Sequence, residues 1–140
     1  MPTPVKNEDV EQSLRSALAA EGFTMNPKLG YGETGVDILA TRRDEQYHIE
    51  VIGYKKSPPA RAKDFYESFF RAISRLNEGA DHCVIALAKP AEVGLPARAK
   101  QHRVAWLRIA DTFPELEIWL VDTTREQYQR RTWREWANAL

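Results

Sequence analysis

The sequence is poor in cysteine, and the single one in 140 residues, Cys83, leaves no partner for an internal disulfide and no cysteine-built zinc site. Its place in the apolar run CVIALA predicts a buried structural thiol rather than a nucleophile. Long apolar runs are missing as well. Nothing approaches the roughly 18 residues of a membrane-spanning helix, and MPTPVKNEDV has no apolar signal-peptide core, so the expectation is a soluble, cytoplasmic chain. Nor is there an excess of charge: 20 Lys and Arg stand against 20 Asp and Glu. The strongly basic balance of a dedicated nucleic-acid binder is therefore absent. With no internal repeat, low-complexity stretch or linker, and 43% apolar content, residues 1–140 are expected to form a single domain around one core.

The neutral total conceals an uneven distribution. Residues 1–54 carry 5 basic and 9 acidic groups, residues 55–109 carry 11 and 5, and residues 110–140 carry 4 and 6. A polyanionic partner would be met in the middle third; the ordinary alternative is a solvated surface.

The most informative stretch runs from Gly35 to Lys56, GVDILATRRDEQYHIEVIGYKK. Two β-rich runs, VDILAT and QYHIEVIGY, are separated by the charged tetrad Arg42, Arg43, Asp44 and Glu45, which predicts a β-hairpin. Symmetry about the Arg43–Asp44 bond places Asp37 directly opposite Glu50, with Cβ atoms about 4.5–5.5 Å apart. Two carboxylates at that separation repel and ask for a cation, most simply a divalent ion with oxygen ligands.

Around the hairpin, Asn7 is a predicted N-cap and residues 8–21 a helix with Val10, Leu14 and Leu18 on its apolar face. Phe23–Tyr31 is a weaker strand. Ser57 caps a second helix ending near Gly79, with Phe65, Phe69, Ile73 and Leu76 on one face and Lys63, Glu67, Arg71 and Arg75 along another. HCVIALAK and LEIWLVD read as strands buried on both faces, with a helix over residues 95–110 between them. Thr123 and Glu126 suggest a capping box that opens a last helix to about residue 139. In that helix Trp133, Trp136 and Leu140 form an apolar stripe, expected in the core, with a homodimer contact as the alternative. The predicted fold class is α/β, a mixed central sheet flanked by helices in the order αβββαβαβα.

The first helix with its acids, the GVD opening of the hairpin, IEV on its second strand, the helix that follows and the apolar strand after it resemble the restriction-endonuclease-like, or PD-(D/E)XK, nuclease superfamily over roughly residues 8–121. That resemblance implies magnesium- or manganese-dependent hydrolysis of phosphodiester bonds, with DNA as the favoured partner. It makes Asp37 and Glu50 the metal ligands and catalytic acids, and Glu11, with Glu8 as the alternative, an auxiliary acid. The family's lysine, two residues after the second acid, is Ile52 here, which can neither donate a hydrogen bond nor carry charge. The chain is therefore expected to be either an impaired nuclease or a catalytically inactive module of that fold that binds nucleic acid or a protein.

Other basic residues are candidates to replace that lysine. Lys56 has the right parity but lies about 20 Å along an extended strand. Lys63 or Arg71 can reach the acids only if the second helix packs against them. Lys55, Lys56, Lys63, Arg71 and Arg75 are the expected phosphate contacts. His48, on the same face as Glu50, is read as a half-exposed strand residue before a metal ligand or base, and His82 and His102 as structural or surface groups.

Overall fold

The computed structural model describes residues 2–30 and 35–138. Helix α1 spans Asn7–Ala20, with Glu8 and Asp9 in its first turn where the helix dipole favours them, and it buries Val10, Leu14 and Leu18 completely. Its N-cap is Lys6, not Asn7. The Asn7 side chain is used over a longer range: its Oδ1 accepts from the Gly53 N–H at 2.6 Å. A Cβ on Gly53 would stand 2.2 Å from the Val5 carbonyl oxygen, so only glycine admits this approach.

Strand β1 is limited to Thr24–Met25, much shorter than the predicted Phe23–Tyr31, whose last residue lies outside the described residues. Strands β2 (Ile38–Arg42) and β3 (Glu45–Ile52) pair antiparallel from Ile38↔Ile49 to Arg42↔Glu45. The loop is only Arg43 and Asp44, at φ 54° and 64°, a two-residue turn whose left-handed pair matches the twist of the flanking strands. Arg42 and Glu45, expected in the loop, belong to the strands.

Helix α2 (Pro58–Ser74) starts as its sequence requires: Ser57 Oγ accepts from the Ala60 N–H at 3.4 Å, and prolines fill the first turn. One 3-10 turn, Arg75–Glu78, extends it to Gly79. Strand β4 (His82–Ala88) then runs parallel to β3, and β5 (Leu116–Asp122) parallel to β4. Between them, the single helix expected over 95–110 is two, α3 (Leu95–Gln101) and α4 (Arg103–Thr112), broken at His102.

The C-terminal expectation fails in an instructive way. Thr123–Glu126 does not cap a helix. It forms a turn closed by Asp122 Oδ1, which accepts from the N–H groups of Thr124 (3.0 Å) and Arg125 (3.1 Å), and Glu126 takes φ 51°. The chain returns as β6 (Gln127–Thr132), antiparallel to β5. The same T-x-x-E pattern recurs nine residues on, and there it works. Thr132 Oγ1 accepts from the Glu135 N–H at 3.2 Å and Glu135 Oε1 from the Thr132 N–H at 2.9 Å, opening the short helix α5 (Trp133–Asn138).

The result is α/β: one mixed six-stranded sheet in sequence order, with helices on both faces. Helix α1 covers one face, packing on Ile38, Ile49, Val84, Trp119 and Val121. The other face carries Ile52, Ile85, Leu87 and Ile118 under Phe65 of α2, Leu95 of α3, Trp106 of α4 and Trp133 and Trp136 of α5. The tryptophan stripe is thus core, with Trp133 and Trp136 only 3% and 2% exposed. Trp106 and Trp133 stack at 3.9 Å and exchange hydrogen bonds, each indole N–H donating to the other's backbone carbonyl at 2.9 and 3.0 Å.

Candidate functional site

Asp37 lies one step beyond the Ile38↔Ile49 pair, so the hairpin register sets it opposite Glu50. Its position is fixed on both sides of the backbone. The carboxylate Oδ2 accepts from the Val51 N–H at 2.8 Å, and the carbonyl oxygen accepts from Arg15 Nη2 of α1 at 3.0 Å. Arg15 also donates to the Asn26 carbonyl at 2.6 Å, tying α1 to the entry of the hairpin. Burial raises the Asp37 pKa above its ordinary value. The Val51 hydrogen bond opposes the rise and the neighbouring Glu11 adds to it.

Glu50 is 4% exposed, and burial raises its pKa too, reinforced by Asp37 and opposed by Arg75. Arg75, from the turn that ends α2, donates Nε at 3.0 Å and Nη2 at 2.9 Å to Glu50 Oε1, and Nη1 at 3.0 Å to Glu78. Arg71, one helical turn earlier, acts on both acids electrostatically while its own ion pair is with Glu67 at 3.6 Å. Glu11 stands close enough to Asp37 to influence it, but its Oε2 is held by Arg15 Nε at 2.8 Å. The structure therefore gathers Asp37, Glu50, Glu11, Arg71 and Arg75.

The other expected phosphate contacts are elsewhere. Lys55 pairs with Asp64 at 3.0 Å, Lys63 with Glu67 at 3.8 Å, and Lys56 is exposed beyond the end of β3. Ile52 is 5% exposed and part of the apolar cluster beneath α2 and α3.

Of the three histidines, His48 departs from expectation. His48 shares the face of Glu50 as its parity requires, yet is 4% exposed rather than half-exposed. Its Nε2 lies 3.3 Å from Gln46 Oε1 and its buried Nδ1 has no partner among the described residues. Burial, the largest influence, lowers its pKa, so the neutral imidazole is favoured. His82 sits between two carboxylates, Nδ1 at 2.5 Å from Glu117 and Nε2 at 2.7 Å from Glu45, with its ring stacked on Tyr47 at 4.0 Å. No spacing in the sequence announces this arrangement, because the three residues meet only once β3, β4 and β5 lie side by side. His102 bonds to the Tyr66 hydroxyl at 3.2 Å. Cys83 is buried as expected, which pushes its thiol up to about 11 and makes it a poor nucleophile.

Among the described residues no three His, Cys, Asp or Glu side chains converge as a ready-made metal cage. The Asp37–Glu50 pair nonetheless has the chemistry for a hard cation. Among the described residues the hydrogen bonds to these carboxylates fall on Asp37 Oδ2 and Glu50 Oε1, which leaves Asp37 Oδ1 and Glu50 Oε2 as oxygen donors. Magnesium is commonly held by one or two carboxylates with waters and substrate phosphate completing its shell. The chain matches no protein-family model, no curated protein and no solved structure.

Proposed function

We propose that the chain is a nuclease-type protein that acts on DNA phosphodiester bonds, built on the restriction-endonuclease-like plan and dependent on Mg²⁺ or Mn²⁺. The observation that carries this reading is the opposition of two half-buried or buried carboxylates, Asp37 and Glu50, each with a raised pKa, beside the guanidinium of Arg75. The run α1, β1, β2, β3, α2, β4 supports it, with three antiparallel strands and a fourth joined in parallel after a helix.

In this reading Asp37 and Glu50 hold the metal ion, which when bound supplies charge neutralisation at phosphate and a water of lowered pKa. Arg75 and Arg71 do what the absent lysine at position 52 would do. A guanidinium carries five N–H groups, so Arg71 on α2 and Arg75 in the turn after it keep donors beyond their ion pairs for a phosphate bound over the acids and stabilise charge that builds on it. Arginine holds its proton at any working pH, so it positions and stabilises but takes no proton. Glu11 is an auxiliary acid, and the Val51 N–H fixes the orientation of Asp37.

A second reading has its own support. Because Arg75 places two nitrogens on one oxygen of Glu50 and Ile52 is locked in the apolar cluster, the guanidinium can serve as a permanent counter-ion, leaving an inactive nuclease-fold module that binds nucleic acid or a protein. Incubation of the chain with labelled single- and double-stranded DNA across a Mg²⁺ and Mn²⁺ titration separates the two. Metal-dependent cleavage that disappears in Asp37→Ala and Glu50→Ala is the expected result. Metal-independent DNA binding without cleavage selects the second reading, and neither binding nor cleavage overturns the DNA assignment.

A further inference from the structure

The carboxyl ends of β3 and β4 open onto a crevice of about 470 Å³ between the first turns of α2 and α3. Its floor is apolar, formed by the buried side chains of Ile52, Phe65, Leu87 and Leu95. Arg61 of α2 and Arg98 of α3 stand in its wall, and among the described residues no carboxylate lines it. Parallel strands commonly place ligands beyond their carboxyl ends, and a volume of this order suits a small organic molecule.

Both arginines are held in place, and among the described residues neither forms an ion pair. Arg61 lies 4.6 Å over the Tyr54 ring and donates Nη1 to the carbonyls of Lys55 (2.8 Å) and Lys56 (3.0 Å). Arg98 lies 5.0 Å over the Phe65 ring and donates Nη1 to the Tyr66 hydroxyl at 2.9 Å. Those bonds use Nη1 alone, so among the described residues Nε and Nη2 of both groups remain for a ligand. A guanidinium edge with two parallel N–H groups matches phosphate oxygens.

We propose that this crevice binds a nucleotide, with Arg61 and Arg98 on its phosphate and the apolar floor beside Tyr54 receiving the sugar and base. Ile52 in the floor is two residues from Glu50 on the same face of β3, about 6–7 Å along the strand, although neither Glu50 nor Asp37 is among the lining residues. The identity of the occupant as the nucleotide flanking the scissile bond rests on the nuclease-type reading; the binding of a nucleotide does not.

The test is a backbone amide NMR titration of the whole chain with adenosine 5′-monophosphate, adenosine and inorganic phosphate. Adenosine monophosphate should shift the amides of Gly53, Tyr54, Gly94 and Leu95, phosphate should do so more weakly, and adenosine should not. Arg61→Gln and Arg98→Gln should each weaken nucleotide binding by about tenfold or more, the loss of one charge-assisted contact, with lysine at either position intermediate. The double variant Asp37→Asn/Glu50→Gln should bind the nucleotide as the parent does. Nucleotide binding retained in a chain that neither cuts nor binds DNA would sink the nuclease-type reading and leave the crevice as a mononucleotide site. Shifts centred elsewhere, adenosine binding as tightly as its phosphate, or unchanged affinity in both glutamine variants would overturn the proposal.

Discussion

Arg75 and Glu50 form a two-nitrogen, one-oxygen ion pair in which the side chains are 17% and 5% exposed. The pair joins the turn that ends α2 to the carboxyl-terminal part of β3, and both guanidinium contacts fall on Oε1 of Glu50.

Removal of that cation strands the acid. Arg75→Met leaves Glu50 buried without its hydrogen-bonded counter-ion and should cost about 3 kcal/mol in urea unfolding, whereas Arg75→Met combined with Glu50→Gln should recover much of the loss. Equal destabilisation in the single and double variants would mean that Arg75 acts through its packing rather than its charge.

The pH dependence has a definite sign. Asp37 and Glu50 both titrate above their ordinary values of 3.8 and 4.5, so between those values and the raised ones the folded chain holds protons that the unfolded chain has released. Their contribution therefore makes stability fall as pH rises through that window, with no penalty below it and the full penalty above it. Asp37→Asn keeps an oxygen for the Val51 N–H and removes one titrating group. The variant should be more stable than the parent near neutrality, and its urea midpoint should vary less with pH from about 4 upward. An unchanged profile would show that the acid is already neutralised by Arg71 and Arg75.

The hairpin turn is a point where stability can be added without touching the acids. Arg43 and Asp44 occupy left-handed backbone that asparagine and glycine adopt with less strain. Arg43→Asn with Asp44→Gly should stabilise by about 1 kcal/mol, and the cross-strand NOE between Ile38 and Ile49 should persist. Loss of that NOE would mean that the native turn residues help to set the register.

The tryptophan stripe affects stability first. Trp133→Phe removes the indole N–H donated to the Trp106 carbonyl and leaves part of the indole's volume in the stack unfilled. The expected cost in urea unfolding is about 2–3 kcal/mol, with sedimentation unchanged. A shift in sedimentation with unaltered stability would restore the stripe as an interface.

The hairpin and the opposition of its acids were legible because the side-chain period of a strand is two and the turn is symmetric; one residue of slippage would have put Ile49 or Val51 on the wrong face. The C-terminal hairpin was not. QYQRRT has little apolar alternation, and its strand character comes from pairing with β5 at the sheet edge, information that is not local. The T-x-x-E signal occurs twice, and Asp122 decides the first instance by offering the backbone a turn instead of a helix. Asn7 illustrates the same competition: a good cap residue was drawn away by the Gly53 N–H, 46 residues distant. For the site, the basic stripe of α2 could be written down from spacing, but the choice of Arg75 as partner of Glu50 depends on where α2 lands on the sheet. The burial of His48 follows likewise from the packing above it.

The two-residue turn at Arg43–Asp44 also sets an order in time. Adjacent strands with so short a connection can meet on the roughly 1–10 μs scale of hairpin formation, whereas Arg75 reaches Glu50 only after α2 has been wound and docked. Closure of the hairpin ahead of α2 docking would bring Asp37 and Glu50 face to face without the guanidinium that accompanies them in the finished fold, leaving solvent and dissolved cations to screen their repulsion. The cation chemistry of this pair accordingly bears on how fast the sheet is assembled as well as on what the finished sheet can hold.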